Sequence, residues 1–312
     1  MQITSSTDKV LKPTAIALGN FDGIHRGHRV VIEPILSTSS VPTVVSFNPH
    51  PQEFFTGKIR QLLTPLHEKV KQLESLGVKQ LVLLPFNQQL AALSPQQFVS
   101  EIIVGKLQAT YISVGADFCF GHGRSGTAKD LQELASRFEI KVNITTLHNC
   151  QTDQNPHTTV RISSSIIRKA LKQGEIEQAN RWLGRPYTLT GKVIEGQQLG
   201  RTIGFPTANL ELPSNKFLPR YGVYAVRTTW QDPTGKSFQV NGVMNIGCRP
   251  TVEGTDPTVE VHLLNWWGNL YHQEITVSII KFLRPERKFS SLEALQAQIT
   301  ADCELARNYL HE

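Results

Sequence analysis

The chain has 312 residues, 39% of them hydrophobic and 19% charged, with a formal net charge of +6; this excludes a disordered chain and leaves room for two cores. Residues 1–6 lack the basic and apolar regions of a secretory signal, and no apolar run approaches the roughly 18–20 residues that span a bilayer. Cys119, Cys150, Cys248 and Cys303 are scattered without a C-x-x-C pair, which argues against a disulfide framework and for a cytoplasmic protein.

Up to about residue 184, β-rich runs at 16–18, 43–47, 80–84, 110–114 and 141–146 alternate with helical segments. Thr64-Pro65 predicts a helix start in cap-then-proline order, closed by Gly77. Ser94-Pro95-Gln96-Gln97 predicts a capping box for a helix reaching about Leu107. Such alternation predicts an α/β domain, a parallel sheet wrapped by helices that binds ligands at the carboxyl ends of its strands. Arg185-Pro186 is the natural joint, giving domains 1–184 and 185–312.

Beyond Tyr187 the runs at 188–194, 222–229, 238–245, 258–264 and 274–282 follow one another, separated by Gly, Pro, Asn and Asp. A single helix follows, with Ser290-Ser291-Leu292-Glu293 as its capping box and Leu292, Leu295, Ile299 and Leu305 in its apolar stripe. This half reads as an all-β domain, a small antiparallel barrel closed by one helix.

The most informative stretch is Gly19-Asn20-Phe21-Asp22-Gly23-Ile24-His25-Arg26-Gly27-His28, placed directly after the first of these runs. Small residues expose backbone amides, and a helix start adds a positive dipole end, so the turn suits a phosphate. His25 and His28 share a face of the opening helical turn and can meet phosphate oxygens that gain charge. From spacing alone, a surface histidine pair or a metal site stays open. Further along, Ile162-Ser163-Ser164-Ser165-Ile166-Ile167-Arg168 offers hydroxyls and a fixed charge at another helix start; three serines there also suit a plain cap.

G-x-F-D-G-x-H-x-G-H, followed by an I-S-S-T-x-x-R-like element, resembles the signature of the bacterial bifunctional riboflavin kinase/FAD synthetase family. Ser165 stands where that family generally has threonine. The resemblance implies a Rossmann-like nucleotidyltransferase domain in which the FMN phosphate attacks the α-phosphorus of ATP, giving FAD and pyrophosphate. It assigns His25 and His28 to transition-state stabilisation and Ser164 and Arg168 to the leaving pyrophosphate. Gly19, Phe21, Asp22, Gly23, Gly27, Ser163 and Ser165 would line the ATP phosphates, and Mg²⁺ is expected with ATP. Asn48, Pro49 and His50, and Asp117 and Phe118, fall in loops after strands and are implied flavin contacts; Ala116 occupies a position often polar in the family.

No P-loop serves the second half. The nearest echo, residues 196–202, is one residue short, has arginine for lysine, and sits among β-runs. Instead, Gly204-Phe205-Pro206-Thr207-Ala208-Asn209 puts a hydroxyl and a carboxamide two residues apart on an extended segment, an arrangement open to a plain turn or to a hard cation. It looks like the riboflavin kinase signature G-[FY]-P-T-A-N, and the likeness continues at 245–251 and 260–264. The resemblance implies a riboflavin-kinase-like barrel with Gly204 beside ATP and Thr207 and Asn209 as Mg²⁺ ligands. Glu260 becomes the general base for the riboflavin 5′-hydroxyl, with Arg284, Arg287 and Phe289 bordering the flavin. On pattern alone, Glu260 reads as a solvated carboxylate on the face opposite Val259, Val261 and Leu263.

The expected activity is therefore double: riboflavin plus ATP to FMN, then FMN plus ATP to FAD. Retention of one activity alone is the nearest alternative. A nucleic-acid-binding barrel is another, but Trp266-Trp267 lacks the interleaved basic stripe such a platform uses. Expected partners are small molecules, without nucleic acid or membrane, and the sequence leaves a homo-oligomer open.

Overall fold

A computed structural model describes residues 1–146, 149–152, 155–196, 200, 203–251 and 254–310, with the backbone alone for 149–152, 155–160, 249–251 and 254–256. The chain forms two compact units, Met1–Ser164 and Ser165–Glu312.

In the first unit, β1 (Gln2–Thr4), β2 (Thr14–Leu18), β3 (Val41–Asn48), β4 (Gln80–Pro85) and β5 (Ala109–Gly115) are sheet strands, and β6 (Cys119–Phe120) pairs with β7 (Gly126–Thr127) as a small ribbon. β8 (Lys141–Thr145) completes a six-stranded sheet of order β1-β4-β3-β2-β5-β8, parallel throughout. β9 (Asn149–Thr152) and β10 (Asn155–Arg161) form a separate antiparallel pair. The helices are α1 (Arg26–Leu36), α2 (Pro51–Thr56), α3 (Leu66–Ser75), α4 (Gln88–Ala92), α5 (Pro95–Gln97) and α6 (Ala128–Ser136). α5 runs directly into a π-helical segment, Phe98–Lys106, so the helix expected up to Leu107 changes pitch partway.

Strand alternation sends Ala15 and Ala17 to one face of the sheet, against Val31, Ile32 and Ile35 of α1 and Leu73 of α3. Ile16 and Leu18 face the other way, against Phe98, Val99, Ile102 and Ile103 and the α6 leucines. Both faces are covered, as a parallel sheet requires. β2 continues to β3 on one side and borders β5 on the other, so the strand order reverses there and a crevice opens at the carboxyl ends.

The second unit begins with α7 (Ser164–Gln173), whose first residue belongs to the first unit, and α8 (Ile176–Leu183). β11 (Tyr187–Ile194), β12 (Ala208–Glu211), β13 (Gly222–Gln231), β14 (Ser237–Thr251), β15 (Gly254–Leu263) and β16 (Glu274–Pro285) close a barrel of order β11-β12-β15-β14-β13-β16. Every pairing is antiparallel. α9 (Leu292–Leu310) packs on β13, β14 and β16, burying Cys303, Ala306 and Leu310 against Val223, Ala225 and Val243.

Three local expectations are corrected. Thr64 does not cap α3: the N-cap is Pro65, without a side-chain cap bond, and the Thr64 hydroxyl is used elsewhere. The cap of α9 is Ser291, whose Oγ accepts the Ala294 N–H at 3.2 Å, so the box read from Ser290 to Glu293 is replaced by a single cap bond one residue on, alanine having no side chain to return it. Leu292 and Leu305 are exposed; the buried stripe is rotated toward Ile299, Cys303, Ala306 and Leu310. Most of the rejected P-loop echo, residues 197–199 and 201–202, lies outside the described residues. Among the described residues no helix is long and apolar enough to cross a membrane.

Candidate active sites

The glycine-rich turn leaves β2 at the carboxyl edge of the sheet, where the Gly19 N–H still donates to Val45 O at 3.1 Å. It then enters the left-handed region at Phe21 (φ +46°), Gly23 (φ +94°) and Ile24 (φ +41°). Two of these are not glycine, and such backbone persists only where its surroundings over-determine it. The restraints come from distant segments. Thr64 Oγ1 accepts the Gly23 N–H at 2.8 Å, and the Thr64 N–H donates to Asp22 Oδ1 at 3.1 Å. Ser164 Oγ donates to the Asp22 carbonyl at 2.7 Å, and the buried Lys69 ammonium donates to the Asn20 carbonyl at 2.8 Å.

Thr64 and Lys69 were not among the predicted site residues. Their signal was present in the sequence but reads as ordinary helix-start grammar. Burial pulls the Lys69 amine below its usual range, with Asp22 partly opposing.

His25 is the N-cap of α1, and its Nδ1 accepts the His28 N–H at 3.2 Å. A neutral His25 therefore carries its proton on Nε2. The two rings stack with centroids 3.6 Å apart, and Phe21 meets His28 edge-on at 5.3 Å. Gly27 allows this: a Cβ there would press on the His25 ring at 3.3 Å, and one at Gly19 would press on Phe21 at 3.2 Å. Burial, then the neighbouring His25 and Lys69, hold His28 well below the usual histidine range. The expected shared face is thus a stacked pair at a helix N-terminus.

Loops after β3 and β5 leave the same sheet edge. Asn48 and Pro49 are exposed, and His50 caps α2, its Nδ1 accepting the Gln52 N–H at 3.0 Å while Glu53 accepts the His50 N–H at 3.0 Å. Burial and then Arg60 lower His50 to about 4, against an upward pull from Asp22. Phe54, Phe55 and Phe86 pack edge-to-face beside it, with Phe55 71% exposed; this aromatic platform was not predicted, although E-F-F in α2 signals it. Asp117 forms an ion pair with Arg161. Phe118 stacks on Phe120 at 5.8 Å and leans on the core, so part of its ring serves packing. Ser163 is half-buried and Ser165 exposed. Arg168 lies in α7 with its guanidinium 5.7 Å from the Phe217 ring centre, within the second unit.

The barrel holds a cavity of about 290 Å³ whose lining includes Thr207, Asn209, Glu260, Arg284, Arg287 and Phe289. Gly204 (φ +87°) turns the chain just ahead of Thr207 and does not line the cavity. Asn209 lies in β12, opposite Glu260 of β15; only Ala208 and Asn209 of the segment expected to be extended belong to a barrel strand. Gly196 packs directly on the Asn209 carboxamide, and a methyl group there would collide with it. Thr207 and Asn209 thus present neutral oxygens, the kind a hard cation takes, beside a carboxylate. Val259, Val261 and Leu263 are buried and Glu260 and His262 half-buried, as the alternation predicted.

The cavity also includes His262 and Asp302, which sequence reasoning left out. Burial lowers the His262 imidazole below its usual range, opposed by its hydrogen bond to Pro206. Asp302, 3% exposed, accepts Arg284 Nε at 2.9 and 3.1 Å and a terminal guanidinium nitrogen at 2.7 Å. Gln298 Nε2 donates to Asp302 at 2.8 Å, and Arg287 donates to Gln298. Both arginines flank Phe289, at 5.6 and 4.8 Å from its ring centre. The Arg284 charge is therefore engaged by α9.

Two family models match the chain one after the other. A family model described as FAD synthetase covers residues 7–159, and one described as riboflavin kinase covers residues 183–310. A bifunctional riboflavin kinase/FMN adenylyltransferase from Escherichia coli (strain K12) is 38% identical over 94% of this chain and 92% of its own. The protein of that description from Bacillus subtilis (strain 168) is 37% identical over 95% and 92%. A crystal structure described as a macrolide-efflux protein from Streptococcus pneumoniae matches with a TM-score of 0.85 at 28% identity over 98% of each chain. With two domain matches in one chain and relatives of this identity along nearly its whole length, the protein belongs to the bifunctional riboflavin kinase/FMN adenylyltransferase family.

Proposed function

We propose that residues 185–312 phosphorylate riboflavin with ATP to FMN, and that residues 1–184 transfer AMP from ATP to FMN, giving FAD and pyrophosphate. The observation that carries this reading is the gathering of Thr207, Asn209 and Glu260 in one barrel cavity. The sheet unit separately holds its own histidine pair at a helix N-terminus.

In the kinase step Glu260 takes the proton of the riboflavin 5′-hydroxyl as that oxygen attacks the γ-phosphorus of ATP and ADP leaves. The oxygens of Thr207 and Asn209 fit Mg²⁺, because Gly196 holds the carboxamide in place and neutral ligands leave the cation's charge for phosphate. When bound, that ion would neutralise phosphate charge.

In the adenylyl step an FMN phosphate oxygen attacks the α-phosphorus of ATP and the bond to pyrophosphate breaks. The protein supplies position and charge stabilisation. His25, protonated at Nε2, and His28 donate to oxygens gaining charge, supported by the α1 dipole. Ser164 binds the leaving pyrophosphate, and Phe55, Asn48 and His50 border the flavin.

Free thiols at the described Cys119, Cys248 and Cys303 support a cytoplasmic setting. The test is direct. Protein incubated with riboflavin, ATP and Mg²⁺ should yield FMN and then FAD on chromatography; failure to form either product overturns the reading.

A further inference from the structure

The β12–β15 ladder pairs Asn209 with Glu260 and Ala208 with Val261, and there it stops. The next residues back along the chain are Thr207 and Pro206, and Pro206 has no N–H to give. A side chain continues the connection instead. His262, next along β15, places Nδ1 2.9 Å from the Pro206 carbonyl. Since a carbonyl only accepts, Nδ1 carries the proton. Phe205 meets the ring edge-on at 5.3 Å and limits its rotation. His262 also lines the cavity shared by Thr207, Asn209 and Glu260, and stands on the same strand face as Glu260.

We propose that His262 is a positioning residue of the kinase site, whose Nδ1–H fixes the Pro206 carbonyl and so sets how Thr207 and Asn209 present their oxygens beside Glu260. The Pro206–Thr207 peptide is planar, so holding its carbonyl orients the backbone from which the Thr207 hydroxyl projects. This inference rests on the kinase reading given above.

The test compares His262→Phe, which removes the donor, with His262→Asn, whose amide nitrogen can stand where Nδ1 stands, and His262→Gln, whose amide reaches further out. Three quantities are read in the full-length protein: the Mg²⁺ dependence of riboflavin phosphorylation, riboflavin binding in the presence of ADP and Mg²⁺ by flavin fluorescence, and thermal melting. Adenylyl transfer to supplied FMN serves as the internal control. His262→Phe should raise the Mg²⁺ concentration for half-maximal rate and weaken ADP-dependent flavin binding by about tenfold each, as expected for losing one hydrogen bond, with adenylyl transfer unchanged. His262→Asn should restore most of both.

Unchanged Mg²⁺ dependence in a folded His262→Phe protein overturns the proposal, as does equal impairment of the Asn and Phe variants. Should His262→Phe fail to fold, the Asn and Gln variants decide: Asn must outperform Gln. Thr207→Ala and Glu260→Ala, run in parallel, test the underlying reading. If they keep full kinase activity that reading falls, whereas if they lose it and His262→Phe does not, only the positioning role falls.

Discussion

His25 Nδ1 accepts the backbone N–H of His28 while the two rings stack 3.6 Å apart. One histidine thereby sets the tautomer of its own ring and the entry of the helix that carries the other. His28→Ala should lower adenylyl transfer by about 10²–10³-fold, the effect of removing one preorganised donor. Chromatography should show FMN accumulating from riboflavin with FAD nearly absent and the kinase rate unchanged. An unaltered FAD yield would remove His28 from the site.

Glu260→Gln keeps size and removes the base. FMN formation should fall by about 10²–10⁴-fold, while supplied FMN is still converted to FAD. Loss of both reactions in a folded variant would refute the separate assignment of the two sites.

Thr64→Val removes the acceptor of the Gly23 N–H, and Lys69→Met the donor to the Asn20 carbonyl. Each removes one long-range hydrogen bond from the turn, although the Asn20 carbonyl still accepts from Ser46 Oγ at 3.3 Å, so each should cost about 1 kcal/mol of stability and lower adenylyl transfer. Riboflavin phosphorylation provides the comparison. Wild-type rates of FAD formation in both variants would show that the strained turn does not need them.

Asp302→Ala leaves Arg284 without the carboxylate that binds it along the Nε–Nη2 edge of its guanidinium. Removing one partner of a largely buried pair should cost about 3 kcal/mol, seen as a lower melting temperature and weaker riboflavin binding. Pairing it with Arg284→Met should recover part of that loss. A variant that melts like wild type would make the pair dispensable.

His50 carries a pH prediction. Its folded value of about 4 lies below the ordinary 6.5, so between those values the unfolded chain binds a proton that the folded chain does not. Stability contributed by this group is complete above about pH 6.5 and declines as pH falls toward 4. His50→Gln should flatten that decline in melting temperatures measured across the window. Parallel pH curves for variant and wild type would contradict the assignment.

The two-part architecture was legible because each half writes its own period. Parallel strands alternate with helices before residue 184, and strands follow strands after it. The motif residues were legible as short strings, yet the contacts that make them work were not. Thr64 lies 41 residues from Gly23 and is disguised as a helix cap. Asp302 is an acid on a helix whose leucines suggested a different inward face, and its bonds to Arg284 and Gln298 explain its burial. β12 escaped notice because it is four residues long and follows a proline turn. Local grammar reveals elements; which long-range partner claims a hydroxyl or carboxylate depends on packing.

The position of α9 has a consequence for synthesis. The sheet of the first unit has its last strand by Thr145, whereas the kinase cavity needs Leu295, Ile299 and Asp302 for one wall. On the ribosome, where folding proceeds from the N-terminus, the domain that consumes FMN is assembled before the pocket that makes it. A polypeptide cut short after α7 and before α9 would keep the histidine pair and Ser164 but lack one wall of the barrel cavity.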